Sequence, residues 1–223
     1  SPVLDFTVDG VSSSVPLDFN PASARWTGST GPLPCTSNLT WSVAASDMMG
    51  GERRLGDFDA TVVDNVDLLF LDGFETNTGW TVSGNATDGQ WTRGVPITNC
   101  DRGNPTETPD GSSSAFLTDN SNNGGDCNSD VDGGETVLTS PTLDASNPDA
   151  ILSYWRWHNN AVGASPGGDP FTVEISTNNG ASWVNLETVA GNSSESSGDW
   201  VQKQFRVADF VTPSETCRIR FVS

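Results

Sequence analysis

The chain has 223 residues, with 29 acidic and 10 basic side chains and a formal net charge of −19. A polyanion of this kind repels nucleic acid and anionic lipid, and the single histidine, His158, excludes a His-x-x-x-His zinc motif and disfavours a serine–histidine triad. No apolar run approaches the ~20 residues that a membrane-spanning helix needs, and the length suits one large domain or one plus a small one.

The start, Ser1-Pro2-Val3-Leu4-Asp5, lacks the pattern of a secretion signal and reads as a mature or excised chain. Short alternating runs follow, separated by Gly, Asn, Asp, Ser and Pro, and no stretch keeps a helical period over three turns. Strands are predicted at residues 4–8, 39–45 and 60–70. Composition shifts near residues 71–75, which divides a smaller segment, 1–70, from a body, 71–223, holding six of the eight tryptophans. In the body, residues 115–118 and 137–138 are short strand candidates. The segments 99–114 and 119–135 read as long loops, which in compact domains are functional or metal-stabilised.

Further along, Ile151, Ser153, Trp155 and Trp157 share one face of a strand, and Leu152, Tyr154 and Arg156 share the other. Two Trp on one face predict that this face turns inward, with His158 at the surface near the strand end. The competing reading of Trp155, Trp157 and His158 is an aromatic sugar platform. Runs at 171–176 and 183–189, joined through Asn179-Gly180, predict a hairpin. Residues 204–207 and 218–222 are further strands, the last with Ile219 and Phe221 inward and Arg218 and Arg220 outward. Many short strands between turn-rich loops predict an all-β sandwich.

Gly, Ser, Thr, Asn and Asp dominate and Lys203 is the one lysine, a composition that suits an extracellular protein able to bind calcium through oxygen ligands. Asp126, Asn128, Asp130 and Asp132 alternate in a Gly-rich acidic stretch whose spacing is not that of an EF-hand. Four cysteines (Cys35, Cys100, Cys127, Cys217) without a Cys-x-x-Cys pair read as up to two disulfides, with three connectivities open. Triplets at Asn38, Asn85 and Asn192 are compatible with surface glycosylation, although such triplets arise by chance in this composition. There is no Gly-x-Ser-x-Gly elbow or phosphate loop, and nothing fixes the separation of Glu174, Glu187 and Glu215, so the chain does not read as an enzyme.

The body carries, in order, Leu71-Asp72-Gly73-Phe74-Glu75, Gly79-Trp80-Thr81-Val82, Gly89-Gln90-Trp91-Thr92-Arg93-Gly94, Ala115-Phe116-Leu117-Thr118-Asp119, Asp130-Val131-Asp132-Gly133-Gly134, Ser153-Tyr154-Trp155-Arg156-Trp157 and Arg218-Ile219-Arg220-Phe221-Val222. These stretches resemble a β-sandwich module of secreted bacterial proteins, of the immune-inhibitor-A and MAM-like type, often appended to extracellular metallopeptidases. The resemblance implies a jelly-roll β-sandwich over 71–223, an extracellular or cell-surface location and a non-catalytic role. It implies a calcium ion tied to the start of the module and to the acidic loop, with Glu75, Asp119, Asp130 and Asp132 as ligands. It also implies a Cys100–Cys127 disulfide, leaving Cys35 and Cys217 to bridge the two segments or two copies.

Similar modules continue past the Arg-Phe-Val strand into one more strand. Here Arg218, Ile219, Arg220, Phe221 and Val222 are therefore expected to form an open assembly edge. Residues 44–47 and 58–66 read like the missing tail. Either residues 1–70 are an immunoglobulin-like β segment, or a strand from one copy completes the next, or the chain is truncated. The expected role is structural or adhesive, as the repeating subunit of a surface filament built by strand complementation. The alternative is an accessory glycan- or protein-binding module of a secreted protease. Partners are then further copies, domains of a parent protein or a glycan, with no nucleic acid and no membrane span.

Overall fold

The computed structural model describes residues 2–21, 25–35, 37–46, 49, 51–62, 66–97, 103–120, 131–161 and 165–223. It is all-β, and the chain divides into two compact units, Ser1–Leu68 and Leu69–Ser223. Among the described residues no helix is long and apolar enough to cross a membrane.

The first unit contains β1 (Val3–Val8), β2 (Val11–Pro16), β3 (Asp18–Asn20), β4 (Arg25–Thr27), β5 (Asn38–Ser46) and β6 (Glu52–Thr61). Strands β2-β1-β5-β6 form an antiparallel sheet, and β3 and β4 a separate hairpin. The β1–β2 connection is the two-residue turn Asp9-Gly10, with φ of 48° and 85°. Positive φ at both positions matches the right-handed twist of the strands, and an Asp-Gly pair tolerates it. Asp9 is held further by Asn38, whose N–H donates to Asp9 Oδ1 at 2.9 Å. Phe6, Trp41 and Phe58 line up across three strands, with the Trp41 and Phe58 rings 4.4 Å apart. Their face also carries Leu4, Val43 and Leu55 in register. Phe6 is buried, while Leu55 is 65% and Phe58 39% exposed.

Two expectations are corrected here. The strand predicted at 60–70 ends at Thr61, and Val66 to Leu71 form an exposed apolar stretch without strand structure. Residues 58–61, read as a donated tail, pair with β5 of their own unit.

The second unit contains β7 (Thr81–Gly84), β8 (Trp91–Gly94), β9 (Ala115–Thr118), β10 (Thr136–Thr139), β11 (Ile151–Asn159), β12 (Phe171–Ser176), β13 (Val184–Val189), β14 (Ser197–Arg206), a 3₁₀ turn at Val207–Asp209 and β15 (Arg218–Val222). One sheet has the order β13-β12-β15-β10-β7. The β8–β9 and β11–β14 ladders supply Trp91, Phe116, Leu152, Tyr154 and Phe205, which pack on its buried face. That core comprises Leu138, Phe171, Val173, Ile175, Leu186, Val189, Ile219 and Phe221, with Trp80 and Val207. The alternation of period two in β12 and β15 puts every second side chain inside, as a half-buried sheet requires.

The start of this unit is tied to its core. Asp72 accepts the Trp80 indole N–H at 2.9 Å and the Phe74 N–H at 2.8 Å. Phe74 then packs edge-on against both Trp80 and Phe116, 5.4 and 5.3 Å between centroids. The Arg93 guanidinium donates to the carbonyls of Phe74 and Glu75 at 2.7 and 3.1 Å.

The expected open edge is also corrected. Strand β15 pairs with β12 on one side, Ile175 opposite Ile219, and with β10 on the other, Leu138 opposite Phe221. Arg218, Ile219, Arg220, Phe221 and Val222 thus form an interior strand, and the edges of this sheet are β13 and β7. Amide hydrogen exchange is expected to be slowest in β10, β12 and β15 and fast in β7, because only paired, buried amides open with the global transition. Fast exchange throughout residues 218–222 would restore the open edge.

Candidate functional site

The densest chemistry of the second unit gathers around β11. Its inward face is Leu152, Tyr154, Arg156 and His158, not the Trp face. The predicted orientation of this strand is therefore reversed, and His158, expected at the surface, is 8% exposed. Arg156 is only 3% exposed. Its Nε and Nη2 donate to the two oxygens of Glu187 at 2.8 and 3.1 Å, and Nη2 also reaches Glu195. The Tyr154 hydroxyl donates to Glu187 Oε1 at 2.7 Å. The Lys203 ammonium lies 3.0 Å from Glu195 and 3.7 Å from Glu187.

Local structure explains the convergence. Glu187 is opposite Val173 in the β12–β13 register, on the core face, next to a β-bulge that shifts the pairing between Val173 and Glu174. Lys203 is opposite Tyr154 in the β11–β14 register and shares its inward face. Two cations and two carboxylates cancel, which is the condition for keeping charge in a low-dielectric interior. Among the described residues Arg156 Nη1 has no hydrogen-bond partner.

The titration behaviour follows from this geometry. Burial pulls the Arg156 pKa down, and its hydrogen bonds to Glu187 and Glu195 outweigh that, so the guanidinium lies above its usual value. Hydrogen bonds from Arg156, then from Lys203, lower Glu195. Burial, then the bond to Glu187, raises the Tyr154 hydroxyl. Burial lowers the His158 imidazole, whose ring stacks on Phe171 with centroids 5.7 Å apart and whose Nε2 has no partner among the described residues.

The outward face of β11 and β14 is different in kind. Trp157 lies opposite Trp200, their rings T-shaped at 5.6 Å. Both indole N–H groups are engaged, Trp157 with the Gly103 carbonyl and Trp200 with the Glu107 carbonyl, each at 2.8 Å. Trp155, opposite Gln202, is 39% exposed. The sequence had predicted Trp155 and Trp157 in the core, but neither belongs to it.

Three of the four residues expected on calcium, Glu75, Asp119 and Asp132, lie among the described residues. Glu75 accepts the Ser114 N–H at 3.2 Å and the Ser114 hydroxyl at 3.4 Å, and also the Ser113 N–H, so it clasps the start of the unit to the turn before β9. Asp119 has a φ of 41° and its N–H donates to Gln90 O at 3.0 Å. The Asp132 backbone pairs with Asp88, and its carbonyl accepts the Thr87 N–H at 2.8 Å. Asp130 lies outside the described residues, as do Asp126, Asn128, Cys100 and Cys127. Among the described residues no three His, Cys, Asp or Glu side chains converge as metal ligands. Cys35 is exposed and Cys217 buried. Asn38, Asn85 and Asn192 are all exposed, and Asn85 Oδ1 accepts the Glu135 N–H at 3.1 Å.

No protein-family model matches the chain, and no curated protein or solved structure matches it.

The buried imidazole makes stability depend on pH. Below its ordinary value of 6.5 the unfolded chain takes up a proton that folded His158 resists. Stability is then full above that pH and falls as pH drops through it towards the lower folded value. Glu195 acts in the same direction but lower, since its contribution is present above 4.5 and lost as pH falls through its lowered folded value. Urea unfolding between about pH 7.5 and about pH 5 is expected to show the first decline. His158→Phe should flatten it, and an unchanged slope in that variant refutes the assignment.

Proposed function

We propose that the chain is an extracellular, non-catalytic adhesive module of the jelly-roll type, in line with the sequence resemblance of residues 71–223 to accessory modules of secreted bacterial proteins. The observation that carries this reading is the division of β11. Its inward Tyr154 and Arg156 are taken up by Glu187 and Glu195, and its outward face leaves an indole in solvent. A hydrolase needs a base or nucleophile that substrate can reach. Here His158 is buried against Phe171, Glu187 is taken by Arg156 and Tyr154, and Glu174 is paired with Arg220 at 2.5 Å.

Assembly into a surface filament is the second reading. Its support is the first unit rather than β15. Val11, Leu55 and Phe58 project from a sheet face that also carries Phe6 and Trp41, and apolar sheet surface of this kind is where proteins associate. Light scattering of the purified chain is expected to give one species near 23.5 kDa. Fibres in negative stain, dispersed by Leu55→Glu, would overturn the module reading in favour of assembly.

Calcium belongs to the proposal as a stabilising ion drawn by the acidic stretch that runs from Asp126 to Glu135. An ion that binds only the folded chain raises its stability. EDTA is expected to lower the melting temperature and added calcium to restore it, and a melting temperature indifferent to EDTA removes the ion.

A further inference from the structure

We propose that the outward face of the β11–β14 ladder is a carbohydrate-binding platform, with Trp155 as the stacking surface and Ser153, Gln202 and Gln204 as hydrogen-bonding partners of a neutral pyranose. This deepens the adhesive-module reading and rests on it. The register places the four side chains together. Trp155 is opposite Gln202 and Ser153 is opposite Gln204. Directly opposite side chains stand roughly 5 Å apart, and alternate residues of one strand about 7 Å apart. That footprint is the size of one sugar ring.

The chemistry of the patch matches a sugar on both of its sides. A pyranose offers a flat face of C–H groups and a rim of hydroxyls. An indole face is apolar with a polar edge, and takes the first. Side-chain amides and a hydroxyl both donate and accept, and take the second. All four residues are exposed, and among the described residues neither the Trp155 indole nor the Ser153, Gln202 and Gln204 side chains are engaged in hydrogen bonds within the protein. The neighbouring aromatics are different. Trp157 and Trp200 are fixed by their carbonyl partners and by each other, so they form a rigid end wall rather than a second open surface. At the other end Arg206, opposite Ile151, is held by Asp149 at 2.8 Å and Asp209 at 3.5 Å.

Charge selects the class of glycan. The four platform residues are uncharged in a protein of net charge −19. An acidic polysaccharide would meet a repelling field with no cation on the platform to offset it. A neutral polysaccharide meets none. An apolar peptide is a poorer match, because one indole flanked by two unpartnered amides gives it little apolar area and leaves the amides unsatisfied on contact.

Affinity electrophoresis through gels containing laminarin, β-mannan or alginate tests this on the intact chain, with Trp155→Ala, a Gln202→Ala/Gln204→Ala pair, and Trp26→Ala as a control at an exposed Trp of the first unit. Retardation is expected in at least one neutral gel and not in alginate. Trp155→Ala should weaken it roughly tenfold, the double variant several-fold, and Trp26→Ala not at all, with circular dichroism and melting temperature unchanged. The glutamine pair keeps the test decisive if Trp155→Ala misfolds. Equal retardation of wild type, Trp155→Ala and the glutamine pair would overturn the platform while leaving an adhesive module with its site elsewhere. No retardation in either neutral gel would overturn the platform as well, and fibres in the same preparation would take the module reading with it.

Discussion

Strand β15 must satisfy its backbone on both sides while every second side chain enters the core, and much of the second unit follows from that constraint. Phe221 is the residue where the consequences meet. Its ring lies 5.1 Å from Tyr154, 6.1 Å from Trp80 and 6.2 Å from Phe171. Through Trp80 it is linked to Asp72 and so to the start of the unit. Through Phe171 it is linked to the stacked His158. Through Tyr154 it reaches Glu187 and the ion-pair centre. A packed aromatic contact contributes about 0.5–1.5 kcal/mol beyond the area it buries, so several contacts on one interior ring make it a costly place for any change.

The ion-pair centre sets the register of the layer opposite. A buried guanidinium without its carboxylates is destabilising by about 3–5 kcal/mol. Sliding β11 by one residue would turn Arg156 outward and bring Trp155 in, leaving Glu187 without its bidentate partner. Hydrophobic burial alone would not forbid that slip, since both faces of this strand carry large side chains. The charges do. Their polarity therefore serves orientation more than net stability, which an apolar substitute of the same shape could also supply.

That explains which parts of the fold were legible from residues alone. The β12–β13 hairpin was readable because Asn179-Gly180 is a local turn signal, and the inward pair Ile219 and Phe221 was readable because their neighbours are arginines. The Asp9-Gly10 hairpin carries the same kind of signal and was there to be read. The face of β11 was not readable. Its partners Glu187, Glu195 and Lys203 lie 31 to 47 residues further along, and no local pattern reports that two carboxylates wait inside. The run at 66–71 misleads in the opposite way, since its hydrophobicity suggests a strand but no neighbouring strand pairs with it. The interior position of β15 is likewise a property of pairing across distant segments, and so is the clasp of Glu75 on Ser113 and Ser114.

The two faces of β11 are consequences of one choice. With a period of two, committing Tyr154 and Arg156 to the interior places Ser153 and Trp155 in solvent, whatever their own hydrophobicity. The exposure of Trp155 is thus maintained by the ion pairs on the other side of the strand, and stability and surface chemistry cannot vary independently there. The basic residues reinforce this separation. Arg156 and Lys203 are neutralised inside, while Arg206 and Arg220 are bound to Asp149 and Glu174. What remains for the outward face is an indole, amides and a hydroxyl set in a strongly anionic protein, so that any partner there would be selected by shape and hydrogen-bonding pattern rather than by charge.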